Sequence, residues 1–179
     1  MMNGNPAMSS RIKRAAVATA AAIALCAVGT TAPNKASAAP LNPIDVTFAS
    51  GQVCTFPLRV EGTGANQVTH TFGDRNGDTT TISAGTGFAL TFTNLDNNAQ
   101  FKLPARFSAT TTVTHPDGSK TVQLTGWNIL FLFPTDTPAD PSTTLYIGVV
   151  VYEDDGLSNF TLDQRRTHSK TLDICAAID

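Results

Sequence analysis

Residues 66–83 read NQVTHTFGDRNGDTTTIS, two runs of Thr, Val, Phe and Ile on either side of Asn76-Gly77. Both central residues of a type I′ turn need positive φ, and Asn-Gly accepts it readily, so the stretch predicts a hairpin with strands over 66–73 and 78–83. Working downstream, Phe88, Leu90 and Phe92 alternate with Ala89, Thr91 and Thr93 before a polar turn at 94–98. A short strand at 101–103 follows, then a second hairpin whose arms, 105–114 and 120–127, meet at Pro116-Asp117-Gly118. The run 129–133 is continuously apolar, which fits a strand covered on both faces or one that meets a ligand or partner. Residues 134–142, with three prolines, read as an extended loop. Leu145, Ile147, Val149 and Val151 then alternate with Tyr146, Gly148, Val150 and Tyr152, and Asp154-Asp155-Gly156 turns the chain into strands at 158–166 and 167–175.

Upstream of the hairpin, residues 53–60 place Cys54, Phe56, Leu58 and Val60 on one face. Pro57 inside this run points to a sheet margin, because proline donates no ladder hydrogen bond. The whole reads as all-β: about eight to ten antiparallel strands in a meander, since strands joined by tight turns are usually spatial neighbours. Barrel-like closure and a two-sheet β-sandwich both remove exposed edges, and the barrel is the favoured expectation.

Residues 1–39 have the three parts of a secretory leader: the cations Arg11, Lys13 and Arg14, an uncharged Ala-rich run at 15–28, and the small residues Ala36-Ser37-Ala38-Ala39. The run is shorter than the roughly eighteen residues a membrane span requires, so it predicts cleavage and no stable membrane insertion of the mature chain. Cys26 follows Leu25 rather than a small residue, which disfavours lipid attachment. The expected mature chain, 40–179, is a single secreted domain. Losing the leader's four cations takes the formal charge from −2 to −6. An acidic domain with scattered Lys and Arg does not fit a nucleic-acid surface. With Cys26 removed, only Cys54 and Cys175 remain, and an even count in an exported chain predicts one disulfide.

Chemical motifs are sparse. Asp74, Asn76 and Asp78 resemble the opening of a calcium loop, but position six is Thr79 and position twelve is Gly85, so the hairpin turn is preferred. His70, His115 and His168 have no partner at metal-ligand spacing, and no Gly-x-Ser-x-Gly occurs. No metal, cofactor or catalytic set is therefore expected. His70 shares its alternation with Val68 and Phe72, which predicts an interior imidazole, while His168 beside Arg165-Arg166 is expected in solvent. Glu153-Asp154-Asp155 reads as turn chemistry. The aromatics Trp127, Phe131, Phe133, Tyr146 and Tyr152 fill a core or, with His70, line a cavity.

Cys54-Thr55-Phe56-Pro57-Leu58, Leu90-Thr91-Phe92-Thr93-Asn94-Leu95-Asp96-Asn97, the Asp117-Gly118 turn and the ending Asp173-Ile174-Cys175-Ala176-Ala177 frame the domain. On these motifs the chain resembles a group of small uncharacterised secreted β-rich proteins of actinobacteria, the high-GC Gram-positive bacteria. The resemblance implies an exported β domain and transfers no catalytic residue. The functional expectation is a non-catalytic extracellular module for a small apolar ligand or a cell-surface partner. A barrel-type isomerase or hydrolase using His70, and a structural or adhesive envelope protein, are the alternatives.

Overall fold

Hydroxyl-bearing and apolar residues alternating between Gly, Asn and Asp turns offer no helical stripe to bury, and the chain folds as strands. The computed structural model describes residues 39–73, 76–138, 140–157 and 159–179. The leader reading therefore lies outside the described residues except for Ala39. The elements are β1 (Ala39–Pro40), β2 (Ile44–Phe48), β3 (Leu58–Thr63), β4 (Asn66–Gly73), β5 (Thr79–Thr86), β6 (Ala89–Asn94), β7 (Gln100–Leu103), β8 (Phe107–Thr114), β9 (Lys120–Leu132), β10 (Ser142–Asp154), β11 (Phe160–Leu162), β12 (His168–Asp173) and the short helix α1 (Ile174–Ala177).

All pairings between these strands are antiparallel, and they make two sheets. The large sheet runs β1-β4-β5-β8-β9-β10-β11, with β12 also on β10; the small sheet runs β2-β3-β6-β7. No closed barrel is found among the described residues, and the arrangement agrees with the two-sheet alternative. Nor is it a simple meander. Hairpins β2–β3 and β6–β7 belong to the small sheet, while the intervening β4–β5 belongs to the large one. The β2–β3 and β6–β7 hairpins turn their apolar residues toward β9 and β10, and these meet in one core.

That core joins Phe48, Leu58, Val60, Phe92 and Leu103 of the small sheet to Leu145, Ile147, Ile129 and Phe131 of the large one. Phe48 packs on Phe131 with ring centroids 5.1 Å apart. On its outer face the small sheet is polar: Arg59 grips Asp45 through two bonds of 3.0 and 2.9 Å. Cys54 and Cys175 are disulfide-bonded across 121 residues, with Cα atoms 5.6 Å apart. Beside the bridge, fully buried Thr143 donates to the Val53 carbonyl at 3.2 Å. Asn94 donates to the Ile178 carbonyl at 2.9 Å, which fastens the end of the chain to the small sheet.

Both expected hairpins form, with Gly77 and Gly118 at φ +88° in their turns. Other expectations are corrected. Val53, Cys54 and Phe56 enter the core from irregular chain, and the strand begins only after Pro57; β3 is then an internal strand between β2 and β6, not a margin. The expected strands at 120–127 and 129–133 are one continuous β9. The last strand stops at Asp173, whose side chain accepts from Ala176 N at 3.0 Å and caps α1. Among the described residues of the strand expected at 158–166, Phe160–Leu162 forms the strand, and a turn at 163–167, closed by Asp163 accepting from Arg165 N and Arg166 N, ends it.

A row of small residues crosses the large sheet in register: Gly85, Ser108, Gly126, Gly148 and Ser169. Gly126 has φ +95° and Gly148 φ +139°. A β-carbon on Gly126 would stand 2.5 Å from the Phe107 carbonyl oxygen, and one on Gly148 2.5 Å from that of His168. Only glycine combines that conformation with that approach. The β9–β10 ribbon cannot be straight. A straight one would put residue 153 about 37 Å from residue 142 at about 3.4 Å per residue. Yet Leu132, opposite Ser142, is followed within five residues by Thr137, which bridges Thr161 opposite Glu153. Five residues reach at most about 18 Å, so the loop closes only over a bent ribbon.

Gly126→Ala is expected to lower urea-unfolding stability by about 3 kcal/mol or more, through strain and overpacking. Gly73→Ala, where a methyl group meets nothing within 4 Å, should stay within about 0.5 kcal/mol of the parent. Replacing Cys54 and Cys175 together by Ser should cost about 4 to 5 kcal/mol by the same assay, as loop-closure entropy over so long a loop requires.

Candidate functional site

The bent ribbon gives the large sheet a concave side, where even-numbered residues of β9 and β10 gather. Val122, Leu124, Leu130, Leu132, Tyr146, Val150 and Tyr152 form a second apolar cluster against Phe160 and Leu162 of β11. Buried Asp136 holds the closing loop in place by accepting from Phe133 N at 2.7 Å and Phe160 N at 3.1 Å. Without those two donors a carboxylate in that position would be costly.

A groove of about 500 Å³ opens beside this cluster and runs to the space between the two sheets. Its volume lies within the range of small-molecule sites, about 300 to 1,000 Å³. One wall is hydroxyl-rich, from Thr81 and Ser83 on β5 and Ser108, Thr110, Thr112 and Thr114 on β8. Val122 and Leu124 lie beside these hydroxyls on the same face, in register with Thr112 and Thr110, and the apolar lining continues through Ile129, Leu130 and Phe131 to Val46, Val60 and Leu90 of the small sheet. Hydrogen bonds between side chains brace the hydroxyl side, with Thr69 and Ser83 oxygens 2.7 Å apart and Gln67 donating to Ser108 at 3.3 Å.

Three charged residues line the groove. Lys120 and Asp154 pair with each other at 3.1 Å. Arg106 has no carboxylate partner among the described residues; its guanidinium lies 5.5 Å above the ring of Trp127. Asn128, also on the wall, has its side-chain nitrogen buried and unbonded.

Of the residues singled out in the sequence, Trp127, Phe131, Phe133 and Tyr152 come together on the groove. Tyr146 lies instead within the second cluster. His70 does not face inward. It is exposed on β4, stacked at 6.3 Å with Phe72, whose side is itself 54% exposed. The apolar alternation of β4 is real, but no second layer covers that face of the sheet. His168 is exposed, as expected. Asp154 and Asp155 accept from the backbone N–H groups of Gly156 and Leu157, in keeping with a turn, and the Asn159 side chain leads the contacts that hold the Asp155 carboxyl below its usual range. Asp74 of the calcium-like series lies outside the described residues, and Asp78 is engaged by His115.

That last contact belongs to a cluster that the sequence spacing did not indicate. His115 Nδ1 is 3.1 Å from Asp78 and Nε2 3.1 Å from Thr121, whose hydroxyl donates to Glu153 at 2.7 Å. The order acid, imidazole, hydroxyl suggests a nucleophile, but the protons run the wrong way. Thr121 gives its only proton to Glu153, so its oxygen is left to accept at Nε2, and a ring nitrogen that donates has no lone pair to take a proton from that hydroxyl. Register could have found it: Thr121 faces Glu153 and Val113 across β9, within reach of both turns.

Among the described residues no group of three or more His, Cys, Asp or Glu could hold a metal ion, and no helix is long and apolar enough to cross a membrane. The fold and groove define the class: a two-sheet all-β domain with one disulfide and an open apolar groove. No family model, curated protein or solved structure matches the chain.

Burial pushes the Tyr152 phenol up to about 12, with the Asp154 carboxylate adding to the effect, and burial also raises Tyr146. Unfolding returns both to the ordinary value of 10.0, so the unfolded chain loses these protons first. Stability present in full below about pH 10 should fall by roughly 2 to 3 kcal/mol on Tyr152's account as pH approaches 12. Absorbance titration of the phenols beside thermal melts checks this, and a phenol in the groove ionising at its ordinary pH would contradict the burial described.

Proposed function

We propose that this protein is an exported, non-catalytic β module that holds an apolar guest in the groove between its sheets. The single observation that carries the reading is the groove itself: about 500 Å³ of space lined by aliphatic and aromatic side chains with a band of hydroxyls beside them. Natural binding sites combine a mostly apolar lining with a few placed polar groups, and this lining has that composition. Export is supported by the leader-like residues 1–39 and by an intramolecular disulfide, a bond that persists in oxidising compartments. The alternative of an isomerase or hydrolase built on an interior His70 loses its support, since His70 stands outside the groove.

Trp127 is the only tryptophan of the chain and it lines the groove, so its fluorescence reports occupancy. Titration with 1-anilinonaphthalene-8-sulfonate should show saturable energy transfer from Trp127 at micromolar probe, and decanol should displace the dye. A linear, unsaturable signal up to millimolar probe would overturn the reading.

A further inference from the structure

Strand β10 pairs with all of β9, from Lys120 to Leu132, whereas β8 pairs only from Lys120 to Gly126. Beyond Gly126 the chain of β8 has left: Arg106, just before it, accepts from Gly87 N, and Pro104 follows β7 of the small sheet. From Trp127 to Leu132, therefore, β9 has no strand on that side among the described residues. Alternate residues of an antiparallel strand turn N–H and C=O away from the paired neighbour, so this stretch presents a row of main-chain donors and acceptors.

The groove runs along this row. Five consecutive residues, Trp127 through Phe131, line it. Successive side chains of a strand point to opposite faces, so a space that meets all five must pass along the strand's edge, and the β10 edge is filled. We infer that the occupant of the groove is an extended peptide segment of a partner protein that adds a strand to this free edge of β9. The inference rests on the groove being the binding site, and it names the chemistry of the guest.

Six residues of edge span about 20 Å, enough for a segment of five or six residues. Its side chains would alternate between Val60 and Leu90 on one side and Leu124 and Leu130 on the other, which calls for apolar residues on both. At the point where β8 departs, Arg106 lies over Trp127 without a carboxylate partner among the described residues. A cation there selects an acidic side chain at that end of the guest. The unbonded nitrogen of Asn128 would find its acceptor in a guest carbonyl.

The test uses the full mature chain, isotope-labelled, and the six-residue probe acetyl-Val-Leu-Val-Ile-Glu-Val-amide. Saturable binding should slow hydrogen exchange of alternate amides between Trp127 and Leu132 by about tenfold or more. N-methylating the peptide at every second residue should abolish binding in one register and spare it in the other, since only one set of N–H groups faces the edge. Arg106→Gln should weaken the glutamate peptide by about tenfold while leaving its glutamine counterpart unchanged. Binding without amide protection, or equal tolerance of both N-methyl series, would overturn strand addition. A concentration-dependent dimer in sedimentation that protects the Trp127–Leu132 amides without any peptide would put a second copy at the edge and overturn it too. If the naphthalene dye binds and the peptide does not, strand addition fails and the groove reading stands. If neither binds, both fail.

Discussion

The carbonyl oxygens of Phe107 and His168 come so close to Gly126 and Gly148 that no side chain fits at either position. These two glycines face each other in the thirteen-residue ribbon of β9 and β10, and the rest of the molecule is arranged around the bend they permit. Before the bend, β9 continues the sheet of β4, β5 and β8. Beyond it, the same strand places Trp127, Ile129 and Phe131 against the small sheet. One ribbon thus belongs to two packing environments, and the strand it shares with β8 must end at the glycine row. The free edge and the groove are consequences of that ending.

A bent ribbon needs to be held, and the holding is done by contacts far apart in sequence. Asp136 and the Thr137–Thr161 bridge close its concave side. On the other side the disulfide joins the irregular segment before β3 to α1, while Thr143 and Asn94 tie both neighbourhoods into buried hydrogen bonds. The polar groups within these ties are satisfied, so their burial fixes one arrangement of the sheets without the penalty of orphaned donors.

The groove combines features that a closed core would not keep. Among the described residues, an arginine without a carboxylate partner, a buried amide nitrogen without an acceptor, and a strand edge without a neighbour lie along one space, beside apolar side chains. Each is unfavourable in isolation, and the three converge on this one groove. The His115 cluster is different in kind, because its side chains bond to one another, Asp78 to His115, His115 to Thr121 and Thr121 to Glu153.

What the amino-acid sequence determined by itself was local: strands from the alternation of side chains, turns at Asn76-Gly77 and Asp117-Gly118 from the conformations those residues accept, and the Cys54–Cys175 pairing from these being the two cysteines left once the expected leader, with Cys26, is set aside. Four of the six candidate site residues reached the groove because they lie on the ribbon or its end. His70 went outward, since alternation shows that a strand has two faces and not which of them a second layer will cover. The division into two sheets, the continuity of β9 through Asn128, and the bend were decided by tertiary structure. Gly85, Gly126 and Gly148 are scattered over more than sixty residues and become one row only when the strands are in register. Pairing between distant strands is a global choice, and the close approach that makes those glycines necessary exists only once that choice is made.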